Sequence, residues 1–216
     1  MLVVCSDIIQ INYRDAPETA AISAEVARVT HAHHLGVTGG VVQTLAVYHA
    51  LHGDTPADIL KKIRDVVNDM EKDLDDDSAS LYKHKVELIE KYVDCSDEDL
   101  PEVCFELGNN VSAVDSVPTA LFCYLRVRRT PGVEPADVFE RVLRLAIRMG
   151  GDTDTIASMA CAVAGAELGA DLIPANLVTS CEAHEEVVTL AEQMWDIVLG
   201  DKGTEPPNKK QKNLDS

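Results

Sequence analysis

The run from Ile156 to Ala166, Ile-Ala-Ser-Met-Ala-Cys-Ala-Val-Ala-Gly-Ala, carries no charge and is small or apolar on nearly every face of a helix. A helix without a polar face has to be enclosed by others, so this run predicts a buried helix inside an α-helical assembly. Its burial fixes whatever stands at its mouth. The mouth is Gly150-Gly151-Asp152-Thr153-Asp154-Thr155. The glycines permit a tight entry turn, and the carboxylates gain a few tenths to about 1 kcal/mol each from the positive end of the helix dipole. An N-cap needs one such side chain, whereas this segment supplies two carboxylates and two hydroxyls. All are hard oxygen donors of the kind Mg²⁺ takes, usually one or two carboxylates with water and substrate phosphates in its other positions. Asp152 and Asp154 are therefore the candidate metal-ligating pair.

The remaining sequence reads as a succession of helices with little alternating strand pattern. Asp15-Ala16-Pro17-Glu18 is a start signal, followed by Ile22, Val26 and Val29 at helical spacing. A second helix is expected after Gly39-Gly40, with Val42, Leu45 and Ala46 on its inner face and a stop near Gly53. Thr55-Pro56-Ala57-Asp58 is a capping box ahead of the stripe Ile59, Ile63, Val66 and Met70. Asp75-Asp76-Asp77 reads as a solvated loop before a helix carrying Leu81, Leu88 and Tyr92. A short helix from Leu100 to Leu107 closes at Gly108-Asn109, and Ser116-Val117-Pro118 opens the next. Val138, Val142, Leu145 and Met149 form the stripe leading into the Gly-Gly-Asp turn. Gly169 ends the small-residue helix, and one long helix is expected from Pro174 to Gly200 through Leu177, Cys181, Val188 and Trp195. The expectation is an all-α domain of about nine helices over 1–200 and a disordered basic tail over 201–216.

At 216 residues and 46% hydrophobic content, with a mean hydropathy of −0.04, the chain suffices for one sizeable core. No apolar run approaches the roughly 18 residues of a membrane span, and Met1-Leu2-Val3-Val4-Cys5 is too short for a signal peptide, so an intracellular protein is expected. The formal net charge of −18 argues against unaided nucleic-acid binding, and a phosphate-bearing ligand would need cations or helix termini to offset the field. The six cysteines are scattered without CxxC spacing, which favours buried reduced thiols over disulfides or zinc.

Other constellations have plain readings. His31, His33 and His34 lie close together with no fourth ligand in view, so they are polar or ligand-contacting histidines and not a zinc site. Cys181 and His184 could pair as nucleophile and base, but no orienting acid is fixed and an interior pair is expected. Met194 and Trp195 are expected to fill core. Pro206-Pro207-Asn208-Lys209-Lys210-Gln211-Lys212 resembles a minimal nuclear-import signal, with a solubilising disordered end as the alternative.

Gly150-Gly151-Asp152-Thr153-Asp154-Thr155 followed by Ile-Ala-Ser-Met-Ala resembles the C-terminal metal motif of the ADP-ribosylglycohydrolases. Three more segments agree in order and spacing. Thr30-His31-Ala32-His33-His34-Leu35-Gly36 resembles the family's Thr-His segment, Leu107-Gly108-Asn109-Asn110-Val111 a ligand-lining turn, and Ser116-Val117-Pro118-Thr119-Ala120 its Ser-Val-Pro motif. Together they span most of residues 15–198. The resemblance implies an all-α, orthogonal multi-helix bundle that uses two Mg²⁺ ions to remove ADP-ribose. It makes Asp152, Asp154 and Thr155 metal ligands, with Asp154 serving both ions. It sets His31 at the phosphate or ribose region of the ligand, Val111 against the adenosine half, and Tyr82 as a neighbour there.

The family's Thr-Asp-Asp metal segment, early catalytic Glu and Gly-rich diphosphate loop have no counterpart in this sequence. The resemblance therefore implies the C-terminal part of the family fold, N-terminally truncated, with no catalytic residue to name, weak Mg²⁺ binding and little turnover. Within the family the type that cleaves ADP-ribosylserine and poly(ADP-ribose) is the nearer match, and the ADP-ribosylarginine hydrolase fits less well at Ser116–Cys123 and Ser180-Cys181-Glu182. The expected partners are ADP-ribose, ADP-ribosylated protein or poly(ADP-ribose), with no direct nucleic acid and no membrane, for a monomer of nucleus and cytoplasm, with the mitochondrial matrix as a further location. The alternatives are a silent ADP-ribose-binding module and a structural protein that keeps the fold as some lens crystallins do.

Overall fold

A computed structural model describes residues 15–74 and 80–200 of the chain. Ten α-helices fill the described residues, with no strand among them. They are α1 (Ala16–Arg28), α2 (His34–Leu51), α3 (Pro56–Glu71), α4 (Leu81–Tyr92), α5 (Leu100–Leu107), α6 (Ala113–Arg129), α7 (Pro135–Arg148), α8 (Thr153–Leu168), α9 (Ala175–Ser180) and α10 (His184–Gly200). Single 3₁₀ turns stand at Asp97–Asp99 and Ala170–Leu172. The acidic run Asp75–Asp77 and the tail from 201 lie outside the described residues.

Helices α2, α6 and α8 pack against one another at the centre, and α1, α3, α4, α5 and α7 surround them. The expected burial of α8 is what the structure has: Ile156, Met159, Ala160, Val163 and Ala164 are all in the core. Its partner α2 is enclosed further still, with every residue from Gly36 to Ala50 buried. This helix begins at His34, earlier than the Gly39-Gly40 pair suggests. His33 caps it by accepting from Leu35 N–H at 3.2 Å. Gly39 serves packing here: a Cβ there would stand 2.5 Å from the Tyr82 hydroxyl and 3.1 Å from Ala113. A buried amide tie, Gln43 Nε2 to the Met159 carbonyl at 3.1 Å, joins α2 to α8.

The outer helices start where side-chain chemistry allows. Asp15 caps α1 by accepting from Glu18 N–H at 2.8 Å, and Thr55 caps α3 by accepting from Asp58 N–H at 3.2 Å. The inner face of α3 is Ile59, Leu60, Ile63 and Val67. Val66 and Met70, expected in that stripe, instead line a cavity of about 950 Å³ between α1 and α3. On α7, Val138, Val142 and Ala146 are buried while Leu145 stands at the core's edge. On α4, Leu81 is at the surface, and Tyr82, Val86, Leu88, Ile89 and Tyr92 face in.

Three further differences have physical causes. Helix α6 starts at Ala113, so Pro118 lies in its second turn, where it gives up only the bond to the Val114 carbonyl. The long helix expected from Pro174 is two helices, broken where Ala183 takes a φ of +57°. Val187, Val188 and Leu190 of α10 are exposed, as is Cys181, so the interior Cys181–His184 pair is not found. The His184 ring contacts the Cys181 carbonyl at 3.3 Å. Met194 is only half-buried. The five described cysteines are free, and burial pushes the Cys161 thiol up to about 11.

Candidate functional site

Helix α7 ends beside Met149, and Gly150 (φ +74°) and Gly151 (φ +66°) turn the chain into α8. Side chains other than hydrogen rarely adopt that region, so the double glycine is a conformational requirement. Asp152 occupies the N-cap position, yet its carboxylate accepts no capping hydrogen bond. Capping therefore does not account for it. Asp154 accepts from the Thr155 N–H at 2.9 Å through one oxygen. A hydrogen bond from the Asp152 carboxyl, and then that from Thr155 N–H, holds Asp154 below the usual carboxylate range.

The donor set at the turn is Asp152, Asp154 and the Thr155 hydroxyl. No group of three or more His, Cys, Asp or Glu side chains gathers in a metal-binding arrangement among the described residues. The donors at the turn are all oxygen, which soft metals do not prefer. A hard ion that accepts one or two carboxylates and keeps its own waters suits these residues.

A second turn clasps the first. The Asn109 carbonyl accepts from Asp152 N–H at 2.8 Å, and the Asn109 side-chain amide donates to the Met149 carbonyl at 2.8 Å. The turn that carries Asn109 is itself held from α4 and α6. Lys85 Nζ donates to the Glu106 and Leu107 carbonyls at 3.0 and 2.7 Å and to Asp115 Oδ1 at 2.9 Å. The Thr119 hydroxyl donates to the Gly108 carbonyl at 2.6 Å. Asn110 donates to the other Asp115 oxygen at 2.8 Å. Asp115 is fully engaged as a brace.

The expected ligand-facing residues fall in different environments. Val111, on the clasping turn, is 82% exposed, an apolar side chain offered to solvent beside the aspartates' turn. His31 is half-buried just ahead of α2, its Nδ1 2.7 Å from the Thr30 hydroxyl, and Gly36 lets the ring lie close to the helix. Tyr82 is 0% exposed, with a buried hydroxyl that has no hydrogen-bond partner and faces Gly39. Burial raises its ionisation well above the ordinary phenol value. It lies behind the N-terminal part of α2 and not at a surface.

The elements meet at their beginnings. Gly39, early in α2, approaches Ala113, the first residue of α6, and Asn109 ties the entry of α6 to the entry of α8. The entries of α6 and α8 thus stand together, joined through Asn109, with the second turn of α2 packed against Ala113, and two helix N-termini favour an anion there. Sequence reading singled out Asp152 and Asp154 but assigned nothing to Lys85 or Asp115, and it named Asn109 only as part of a turn. Hydrogen bonds between turns leave no periodicity to read, and the one available signal was the Gly-Asn-Asn run itself.

The model of the ADP-ribosylglycohydrolase family matches residues 3–204. The chain belongs to the ADP-ribosylglycohydrolase family. Its all-α architecture agrees with that membership. It is similar to ADP-ribosylhydrolase ARH3 of Homo sapiens, 36% identical over 198 residues that make up 86% of this chain and 54% of that protein. The same-named protein of Danio rerio is 34% identical over 202 residues, 86% of this chain and 53% of its own. An uncharacterised Escherichia coli protein, YegU, is 30% identical over 162 residues, 73% of this chain and 46% of its own. The chain spans about half the length of the relatives it matches.

Proposed function

We propose that the entry to α8 is the metal half of an ADP-ribose site, and that the chain serves a magnesium-dependent hydrolase of O-linked ADP-ribose on protein serine or in poly(ADP-ribose). The observation that carries this reading is the Asp152–Asp154 pair, two neighbouring carboxylates at the mouth of a buried helix, of which Asp152 makes no capping hydrogen bond and Asp154 commits one oxygen to Thr155 N–H. Similarity to proteins named ADP-ribosylhydrolase supports the substrate class.

Asp152, Asp154 and Thr155 would hold magnesium, which when bound orients the ribose diol, neutralises charge and lowers the pKa of a water. The other steps fall to the protein. Asn109 keeps the two turns in register. The N-termini of α6 and α8, joined through Asn109, attract the diphosphate against a net charge of −18. His31 lies toward the phosphate or ribose, Val111 lies against the adenosine half, and Tyr82 backs the pocket from the core. In the reaction a water oxygen bonds to C1″, the glycosidic C–O bond breaks, and the leaving oxygen takes a proton.

A silent ADP-ribose-binding module is the second reading. It is favoured by the state of Asp115, the acid nearest the clasping turn, which is committed to Lys85 and Asn110 and so is not available as a general acid. A positioned acid or base contributes typically about 10²–10⁴-fold, so its lack would leave binding with little turnover. Mass spectrometry of a serine-ADP-ribosylated peptide, incubated with the chain in Mg²⁺ or in EDTA, separates the two. Release that depends on Mg²⁺ supports the hydrolase, and saturable ADP-ribose binding without release supports the module. A chain that neither binds nor releases ADP-ribose contradicts both.

A further inference from the structure

The two turns of the site are joined through one residue. Asn109 accepts from Asp152 N–H through its backbone and donates to the Met149 carbonyl through its side chain, both at 2.8 Å. It therefore brackets Gly150 and Gly151 on both sides. Contact is so close that a Cβ on Gly151 would stand 1.9 Å from the Asn109 carbonyl oxygen. Two residues further on, Val111 presents its exposed side chain. The far side of the same turn is anchored by Lys85 and Thr119, the former with only 12% of its side chain exposed. Val111 thus lies two residues from the carbonyl that holds Asp152 N–H, on a turn whose other side is fixed by Lys85 and Thr119.

We propose that Asn109 is a positioning residue that sets the geometry of the Asp152–Asp154 pair and couples it to the turn bearing Val111, so that occupancy by a nucleotide and by a divalent cation reinforce each other. The inference rests on the magnesium reading above. Residues that orient metal ligands through hydrogen bonds typically change metal affinity by about 10–100-fold when replaced. Coupling between the two ligands is reciprocal, so each must tighten the other by the same factor.

The test replaces Asn109 by Leu, which keeps size and loses the amide donor. Magnesium affinity is measured by isothermal titration with and without ADP-ribose, and hydrogen exchange of the amides from Gly150 to Ile156 is measured in the metal-free protein. Val142→Ala, in the core of α7 and outside both turns, controls for general loss of stability. The expected result for Asn109→Leu is Mg²⁺ binding about tenfold weaker, exchange at the turn markedly faster, and an ADP-ribose-induced gain in Mg²⁺ affinity that disappears. Val142→Ala melts lower but keeps wild-type Mg²⁺ affinity and coupling. Unchanged exchange and affinity in Asn109→Leu overturn the inference alone, as does an equal loss in Val142→Ala. Absence of Mg²⁺ binding in the wild-type chain overturns the magnesium reading and the coupling with it. If Asn109→Leu does not fold, Asn109→Ser, with a donor of shorter reach, carries the same comparison.

Discussion

A side chain at position 151 has nowhere to go: the Asn109 carbonyl oxygen lies 1.9 Å from where its Cβ would be, and the backbone sits at φ +66°. Gly151→Ala is therefore expected to force the two turns apart, destabilising the protein by roughly 1–3 kcal/mol from backbone strain alone. Urea denaturation checks the stability, and wild-type stability in that variant would contradict the geometry. The aspartates stand out in the sequence as candidates because hard-oxygen donors crowded before an uncharged helix are rare for capping alone. Asn109 and Lys85 were less so. Their roles depend on carbonyls that only the folded chain brings within reach, Met149 for one and Glu106 with Leu107 for the other. His49 offers a further check at this scale. Its ring is buried, with Nδ1 2.7 Å from Asp54, and Lys62 donates to the same carboxylate at 2.6 Å. Burial, aided by Lys62 and His52, outweighs the Asp54 carboxylate and lowers the His49 pKa. The unfolded chain then binds the extra proton first, so the stability contribution is complete above the unfolded value of about 6.5 and is lost as pH falls toward the folded one. Thermal melts from pH 7 to 5 should show a decline that His49→Gln reduces, and an identical decline in both proteins would refute it.

At the scale of elements, Glu71 shows how separate helices are spliced. Although buried at the end of α3, its carboxylate accepts from the Tyr82 and Lys83 amides at 3.0 Å each and so caps α4. Glu71→Ala should cost about 1–3 kcal/mol by leaving buried N–H groups unsatisfied. Equilibrium denaturation measures it, and a change below about 0.5 kcal/mol would rule the cap out as a support. Helix existence was mostly readable, since caps at Asp15 and Thr55 and stripes such as Ile59–Ile63 act within one turn. Misreadings came where tertiary packing decides. Gly39 and Gly40 resemble breakers but lie inside α2, and at Gly39 the Tyr82 hydroxyl leaves no room for a side chain. Val66 and Met70 keep helical spacing yet face a groove. The break at Ala183 has no glycine or proline to announce it.

Across the whole molecule, the arrangement answers an electrostatic problem that composition alone poses. A body with a formal charge of −18 repels a diphosphate, and the fold joins the entries of α6 and α8 through Asn109 beside a carboxylate pair suited to a cation. The central claim is that this pair grips magnesium and, through it, the nucleotide sugar. Isothermal titration of ADP-ribose into the chain at saturating Mg²⁺, repeated with Asp152→Ala/Asp154→Ala, tests it most directly. The account predicts binding by the wild type that EDTA abolishes and that falls at least about tenfold in the double variant while its far-ultraviolet spectrum stays helical. Equal heats from both proteins, or binding indifferent to EDTA, would contradict it.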